Sequence, residues 1–574
     1  MTRAFDRCLS RQLIAVETLD FLTFCGHPRL THFPCPGYSL VRRLPIMLPM
    51  LSAVLAFFVS LFRSRASLVT ANVKTRWLKP HDFHPLCMGT STKRCRCSRS
   101  SHGTSPIFPH SAALGTSLGI RLLCRRRFAM VDKGVLATVV GALSLLFLCP
   151  SPVLYAKIWA LTWQERIMTA SGGGYRGPWR MNASVYDYVD DPAVAIDEKG
   201  SIGVVWADQA RKDIFFQRFS PDGRPQLPEA VNVSKNPEIF SWLPKLVMTS
   251  GDPQDIYVLW QEIIFSGGSH GGDILFARST DGGRTFREPL NLSHDLAGSG
   301  KGRLTKDYWH NGSLALAHGP QGMLYTAWTD YEGALWVSRS TDQGGTFSPP
   351  VRIAGYGGNA PARGPSLAVD AQGVVYLAWT VGEEDAADIR VATSLDLGRS
   401  FLAPQIAHHS GGHADAPKIA VDHASTVHLV YAESPQGPLQ TYHITYLRMR
   451  KGEERFAPPV TLSAPQAPRV ESVSFPALAI GGKDQLFVLW ERFPANRPNG
   501  LGFTYSRDGG QTFAAPSIIP GSLGRDQGFN GSLQGLLMQK LAANSRGDID
   551  VVNSTFNPGQ GSRIWLIRGH AQED

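Results

Sequence analysis

The sequence predicts an all-β fold, a β-propeller of four-stranded blades, seven in number with six as the alternative, the ring closed by an N-terminal strand. Three observations predict it. A strand pair recurs from residue 192 to the end, a short turn motif recurs at one place within that repeat, and composition changes sharply near residue 157.

Each repeat opens on an apolar strand that starts near a proline, and continues with a second strand ending in an aromatic residue. The pairs are 192–196 with 202–206, 244–248 with 256–260, 313–317 with 324–328, 365–370 with 375–379, 417–422 with 427–431 and 476–480 with 486–490. A degenerate seventh pair is 540–543 with 549–553, where Asn553 takes the aromatic place. Those places follow one another at intervals of 51 to 68 residues, the length of one blade. A third strand follows, as at 273–278 and 335–339, then a turn, then a fourth strand such as 289–293. The seventh copy runs out after its third strand at 564–568, so its fourth is expected from 178–184, which reads like 230–234. Closure of that kind removes the exposed edge of an open array.

The turn motif has four full copies: Ser279-Thr-Asp281-Gly-Gly283-Arg-Thr285-Phe286, Ser340-Thr-Asp342-Gln-Gly344-Gly-Thr346-Phe347, Ser394-Leu-Asp396-Leu-Gly398-Arg-Ser400-Phe401 and Ser506-Arg-Asp508-Gly-Gly510-Gln-Thr512-Phe513. In a tight connection the Asp carboxylate accepts backbone N–H bonds, the Gly takes positive φ, and the Phe plugs the turn onto apolar neighbours. Ser220-Pro-Asp222-Gly-Arg224 is a relic of the same form. This is the Asp-box, and from residue 157 onward the chain resembles the sialidase-like (neuraminidase superfamily) Asp-box, or BNR-repeat, β-propellers.

All eight cysteines lie in the first 149 residues, and residues 1–156 hold 20 Lys and Arg against 5 Asp and Glu. The net charge of +10 therefore belongs to the leader; the repeated part is acidic, which argues against nucleic acid as a partner. Residues 1–129 show no repeat and are expected to be a poorly structured leader left by the choice of start site. Cys95-Arg-Cys97 has the wrong spacing for a zinc knuckle. From Met130 a charged start, an apolar run at 135–149 and Ala156 make up a signal peptide, or else an uncleaved membrane anchor within 134–156. A secreted or periplasmic monomer is expected, touching a membrane only through that segment.

Blade topology puts the Asp-box turns, structural clips built on Asp281, Asp342, Asp396 and Asp508, on one face. The blade connections and second-to-third loops lie on the other, where binding residues concentrate. That face is expected to carry acids near the ends of the second strands, Asp208, Glu262, Asp330, Glu433 and Glu491, with Asp187 and Asp191 ahead of the first blade. Asp307-Tyr308-Trp309-His310 packs an acid, a phenol, an indole and an imidazole into four residues. His408, His409, His413 and Asp415 surround Gly411-Gly412 and read as a mobile loop with solvated histidines rather than a metal site.

The resemblance implies an exo-α-sialidase: three arginines for the substrate carboxylate, a Tyr–Glu nucleophile pair, and an Asp acid/base. Candidate catalytic residues are Asp307, Glu262, Asp330, Asp187 and Tyr308, and candidate substrate-binding residues are Arg363, Arg469, Arg492, Arg525, His310 and Trp309. The family's Arg-Ile-Pro motif has no counterpart, since Arg166 and Arg176 head other sequences. Two functions stay open: a glycoside hydrolase, or a noncatalytic propeller binding a glycan, glycoprotein or peptide. No cofactor and no metal are expected.

Overall fold

The computed structural model describes residues 159–573, apart from 263–271, 295–313, 331–332, 356–360, 383–386, 464–470, 495–497, 524–537 and the single positions 179, 181, 439 and 483. The expected leader and signal segment lie outside these residues. Seven antiparallel sheets make seven blades. Their innermost strands are, in chain order, Val189–Ile196, Ser241–Met248, Leu314–His318, Ala362–Val369, His413–Val421, Ser472–Ile480 and Leu541–Ala543. Each touches the next, and the last touches the first, so the ring closes.

The second strands are apolar because a neighbouring blade covers each face; Ile256–Glu262 is buried throughout. Every interface between successive blades holds its own apolar core. The four Ser-x-Asp turns reinforce those interfaces. In the second blade Asp281 accepts the Ser279 hydroxyl (2.8 Å), the Thr285 N–H (3.0 Å) and the Thr285 hydroxyl (2.6 Å), while Ser279 Oγ accepts the Gly283 N–H (2.9 Å). Asp342, Asp396 and Asp508 repeat the pattern. The phenylalanines reach back to the preceding blade: Phe286 meets Phe216 at 5.6 Å, Phe347 meets Phe276 at 4.8 Å, and Phe513 meets Tyr446 at 4.8 Å, all three edge to face.

Closure by the N-terminal segment holds, and the closing residues need correction. The third strand of the seventh blade is Gly561–Glu573, longer than expected, and takes two short strands end to end. Trp159–Trp163 pairs with its C-terminal half and Ile167–Gly172 with its N-terminal half. Among the described residues of 178–184, strand-type pairing is confined to the isolated bridge between Arg180 and Asn182. Arg568 locks the seam between the last and first blades, binding buried Asp550 through Nε (3.0 Å) and Nη2 (2.9 Å) and donating to the carbonyls of Gly200 (2.9 Å) and Pro221.

Five innermost strands carry a bulge at one place. Asp191, Leu243, Gly364, Ala416 and Phe475 take φ of 50 to 62°, each is followed by a proline, and the ladder register shifts across the pair. Proline has no N–H for a ladder, so the bulge is where the strand can carry it. The next residue then pairs opposite the second strand: Ala193 with Val205, Lys245 with Leu259, Ser366 with Ala378, Lys418 with Val430 and Ala477 with Leu489. Ala315 opposite Ala327, and Lys540, whose carbonyl accepts the Val552 N–H (2.9 Å), complete the set in the third and seventh blades.

Candidate functional site

The bulges also shape the loop face. In the fourth and fifth blades they place Arg363 and Asp415 immediately before the left-handed residue. Arg363 is 4 % exposed and its guanidinium is engaged on all sides. Nε donates to Asp415 Oδ1 (3.3 Å), Nη1 to the Gly382 carbonyl (2.5 Å), and Nη2 lies 3.1 Å from His413 Nε2. His413 Nδ1 in turn lies 3.0 Å from the Tyr442 hydroxyl. Arginine has only hydrogens to offer, so His413 Nε2 accepts and the neutral ring carries its proton on Nδ1. Tyr442 Oη then accepts from the imidazole. Thr380 Oγ1 (3.2 Å) and the Ala416 N–H (2.8 Å) also donate to Asp415 Oδ1. Burial pushes the Asp415 carboxyl up, and the adjacent Arg363 guanidinium together with the Ala416 N–H outweighs it and holds the carboxyl below its usual range.

The histidine-rich connection beside this network is not the solvated loop expected. His413 is 6 % exposed, inside the first strand of the fifth blade. His408 is half-buried, with Nε2 3.3 Å from Glu433, and His409, though exposed, has Nδ1 3.0 Å from Asp388. Among the described residues no group of His, Cys, Asp and Glu is arranged to hold a metal ion.

The other candidates are dispersed around the ring. Glu262, buried in the second blade, accepts from Asn236 Nδ2 (3.0 Å), and burial raises its carboxyl pKa. Asp330 of the third blade caps a turn, accepting the Ala334 N–H (2.8 Å) and the Trp336 Nε1–H (2.9 Å). Asp187 accepts the Tyr175 N–H (2.6 Å) ahead of the first blade. Asp191 is buried at the first bulge. Arg492 of the sixth blade binds Glu471 (2.7 Å). Asp307, Tyr308, Trp309, His310, Arg469 and Arg525 lie outside the described residues. Asp281, Asp342, Asp396 and Asp508 sit in turns on the opposite face.

Sequence reasoning passed over Tyr442 and Thr380, which belong to no repeated feature. It also passed over Lys245, Lys418 and Lys540, which line an axial cavity of about 120 Å³ together with Ser366 and Gln539 among others. Aligning the strand pairs by their prolines would have shown Lys at 245 and 418 where other blades have Ala or Ser.

No family model matches the chain, and no curated protein matches it. Among solved structures it is similar to a protein of unknown function from Dyadobacter fermentans, with 14 % identity, a TM-score of 0.40, and 72 % of this chain and 99 % of that one covered. It is similar to a polysaccharide lyase, an ulvan lyase, with 12 % identity, a TM-score of 0.44, and 70 % and 95 % covered. A Hadza microbial sialidase matches with 15 % identity, a TM-score of 0.38, and 56 % and 65 % covered.

Proposed function

We propose that this chain is an exported propeller of the sialidase-like, Asp-box kind that binds a glycan on its loop face without cleaving it, with the edge of the fourth and fifth blades as its contact site. The observation that carries the reading is the Asp415–Arg363–His413–Tyr442 chain. A sugar hydroxyl both donates and accepts, and at this edge lie the Asp415 carboxylate and the Tyr442 phenol, whose orientations are fixed from behind by the buried Arg363 guanidinium and His413 imidazole. Sialidase chemistry is less well served. It needs arginines converging on a substrate carboxylate, and the two described candidates, Arg363 and Arg492, sit in different blades, each already bound to a carboxylate of its own. The export reading rests on the segment from Met130 to Ala156.

A glycoside hydrolase is the second reading, favoured by one observation: Glu262 is a desolvated carboxyl of raised pKa near the loop face, the environment of a general acid. The test is a glycan array probed with the full chain, followed by titration of any hit with Tyr442→Phe, beside a fluorogenic aryl sialoside assay from pH 4 to 8. Binding that weakens about tenfold without the hydroxyl supports the site. A folded chain that binds no glycan, or a Phe variant that binds as tightly as wild type, overturns it; turnover establishes the hydrolase.

A further inference from the structure

The seven equivalent axial positions provide an internal control. Four blades fill them with Ala193, Ala315, Ser366 and Ala477, so the blade architecture has no need of a long side chain there. The other three carry Lys245, Lys418 and Lys540, and all three lysines line the same cavity. Lys245 is 5 % and Lys540 1 % exposed. Gathering ammonium groups where two of the three lysines are buried costs both desolvation and mutual repulsion, and a fold does not need that arrangement for its own stability.

The surrounding groups define what the cavity would accept. Among the described residues, Asp191 of the first blade acts on Lys245 and Lys540, and Glu491 of the sixth contacts Lys540. The Ser366 hydroxyl adds a neutral donor. Gln539 ties the rim, donating to the carbonyls of Val194 (3.0 Å) and Leu246 (2.9 Å) and so fixing the first two blades against the seventh. A cavity of about 150 Å³ takes a benzene-sized molecule, so one of about 120 Å³ has room for a tetrahedral oxyanion.

We propose that the axial cavity is an oxyanion site in which Lys245, Lys418 and Lys540 hold one phosphate or sulfate group, free or carried as the ester of a sugar. The site is separate from the Arg363–Tyr442 edge and stands or falls independently of glycan binding there. Burial holds the Lys418 ammonium down at about 8 and Lys245 well below its ordinary value, with Lys418 adding repulsion to Lys245. A bound dianion favours the charged lysines, so binding takes up protons. Lys245 and Lys540 face Lys418 in the cavity, Asp191 acts on both of those lysines, Glu491 contacts Lys540, and Asp415 lies three residues before Lys418.

The experiment is isothermal titration of the full chain with inorganic phosphate, inorganic sulfate and a sulfated monosaccharide, against chloride at matched ionic strength, at pH 7 and pH 9. We expect saturable binding at one site, weaker at pH 9, and weaker by about tenfold or more in Lys418→Met and in Lys245→Met. Tighter binding of the sugar ester than of the free ions identifies the ester as the source, and the reverse identifies the free ion. Folded wild-type protein that prefers neither oxyanion to chloride overturns the proposal, as does a folded Lys418→Met that binds like wild type. The wild-type titrations and their pH dependence decide the question even where a variant fails to fold.

Discussion

Two adjacent glycines in the last Ser-x-Asp turn separate the contributions of backbone conformation and packing. Gly509 and Gly510 both have positive φ, 65° and 75°. A Cβ at Gly509 would meet nothing nearer than Asp484 Cβ at 3.8 Å, whereas a Cβ at Gly510 would fall on the Tyr446 hydroxyl and within 3.0 Å of Leu486. Gly509→Ala therefore carries only the left-handed strain, about 1–2 kcal/mol, offset by about 0.4–1 kcal/mol from the stiffer unfolded chain. Gly510→Ala adds overpacking of about 1–3 kcal/mol. It also displaces a hydroxyl that lies 2.8 Å from Nδ1 of His428, whose Nε2 lies 3.2 Å from Asp422, so a buried polar chain is broken at a further cost of about 1–3 kcal/mol. We expect about 1 kcal/mol or less for the first variant and about 3–5 kcal/mol for the second. Urea unfolding followed by tryptophan fluorescence compares them, using midpoints because seven blades need not unfold in one step. Tyr446→Phe combined with Gly510→Ala should recover part of the loss, since the atom struck is gone. Equal midpoints for the two Ala variants would refute the account of the turn as a clip between blades.

Three further outcomes follow from the fold. Arg568→Met leaves Asp550 buried without its partner and should cost about 3–5 kcal/mol, read as a lowered urea midpoint; a cost below about 1 kcal/mol would mean the seam does not depend on that pair. Three hydrogen bonds, from Ser340 and from the backbone and hydroxyl of Thr346, outweigh the opposing effect of burial and hold Asp342 at about 2. A carboxyl depressed in the folded state contributes stability above its unfolded pKa of about 3.9 and loses it as pH falls toward 2. Asp342→Asn should therefore be less stable than wild type by about 1 kcal/mol at pH 7, after allowance for solvent screening, with the two melting curves converging between pH 4 and 2; a constant gap would contradict the assignment. A chain starting at Gly173 lacks both closing strands, exposes the edge of Gly561–Glu573, and should elute as oligomers in size-exclusion chromatography, where a clean monomer would count against strand closure.

The blades could be read from sequence because their second strands are covered on both faces, which forces the apolar run that ends in Trp206, Trp260 and the rest. The loop-face chemistry was harder to read for a reason that lies in the bulges. A proline looks like the start of a strand because it cannot donate to a ladder, so the innermost strands were expected at Pro192, Pro244, Pro365, Pro417 and Pro476. They begin earlier, at Val189, Ser241, Ala362, His413 and Ser472, and the bulge carries the ladder past the proline. Arg363, His413 and Asp415 lie in those hidden lead-in residues, which turns what read as loop side chains into strand-mounted ones. The closing strand was misplaced for a similar reason: the last strand was expected to stop at Arg568, and its extension to Glu573 provides the edge that Trp159–Trp163 occupies.

The pairing of Trp159 with Glu573 has a practical consequence for orientation. The last strand runs from the loop face toward the face of the Ser-x-Asp turns and ends there, and the first strand starts beside it. The polypeptide thus enters and leaves the ring at neighbouring points on one side. A linker joined directly before Trp159 or directly after Glu573 leaves the ring on the side away from the Arg363–Tyr442 edge. Pulling those two ends apart would peel the closing strand one residue pair at a time, so under load the ring opens at this seam by unzipping rather than by shear.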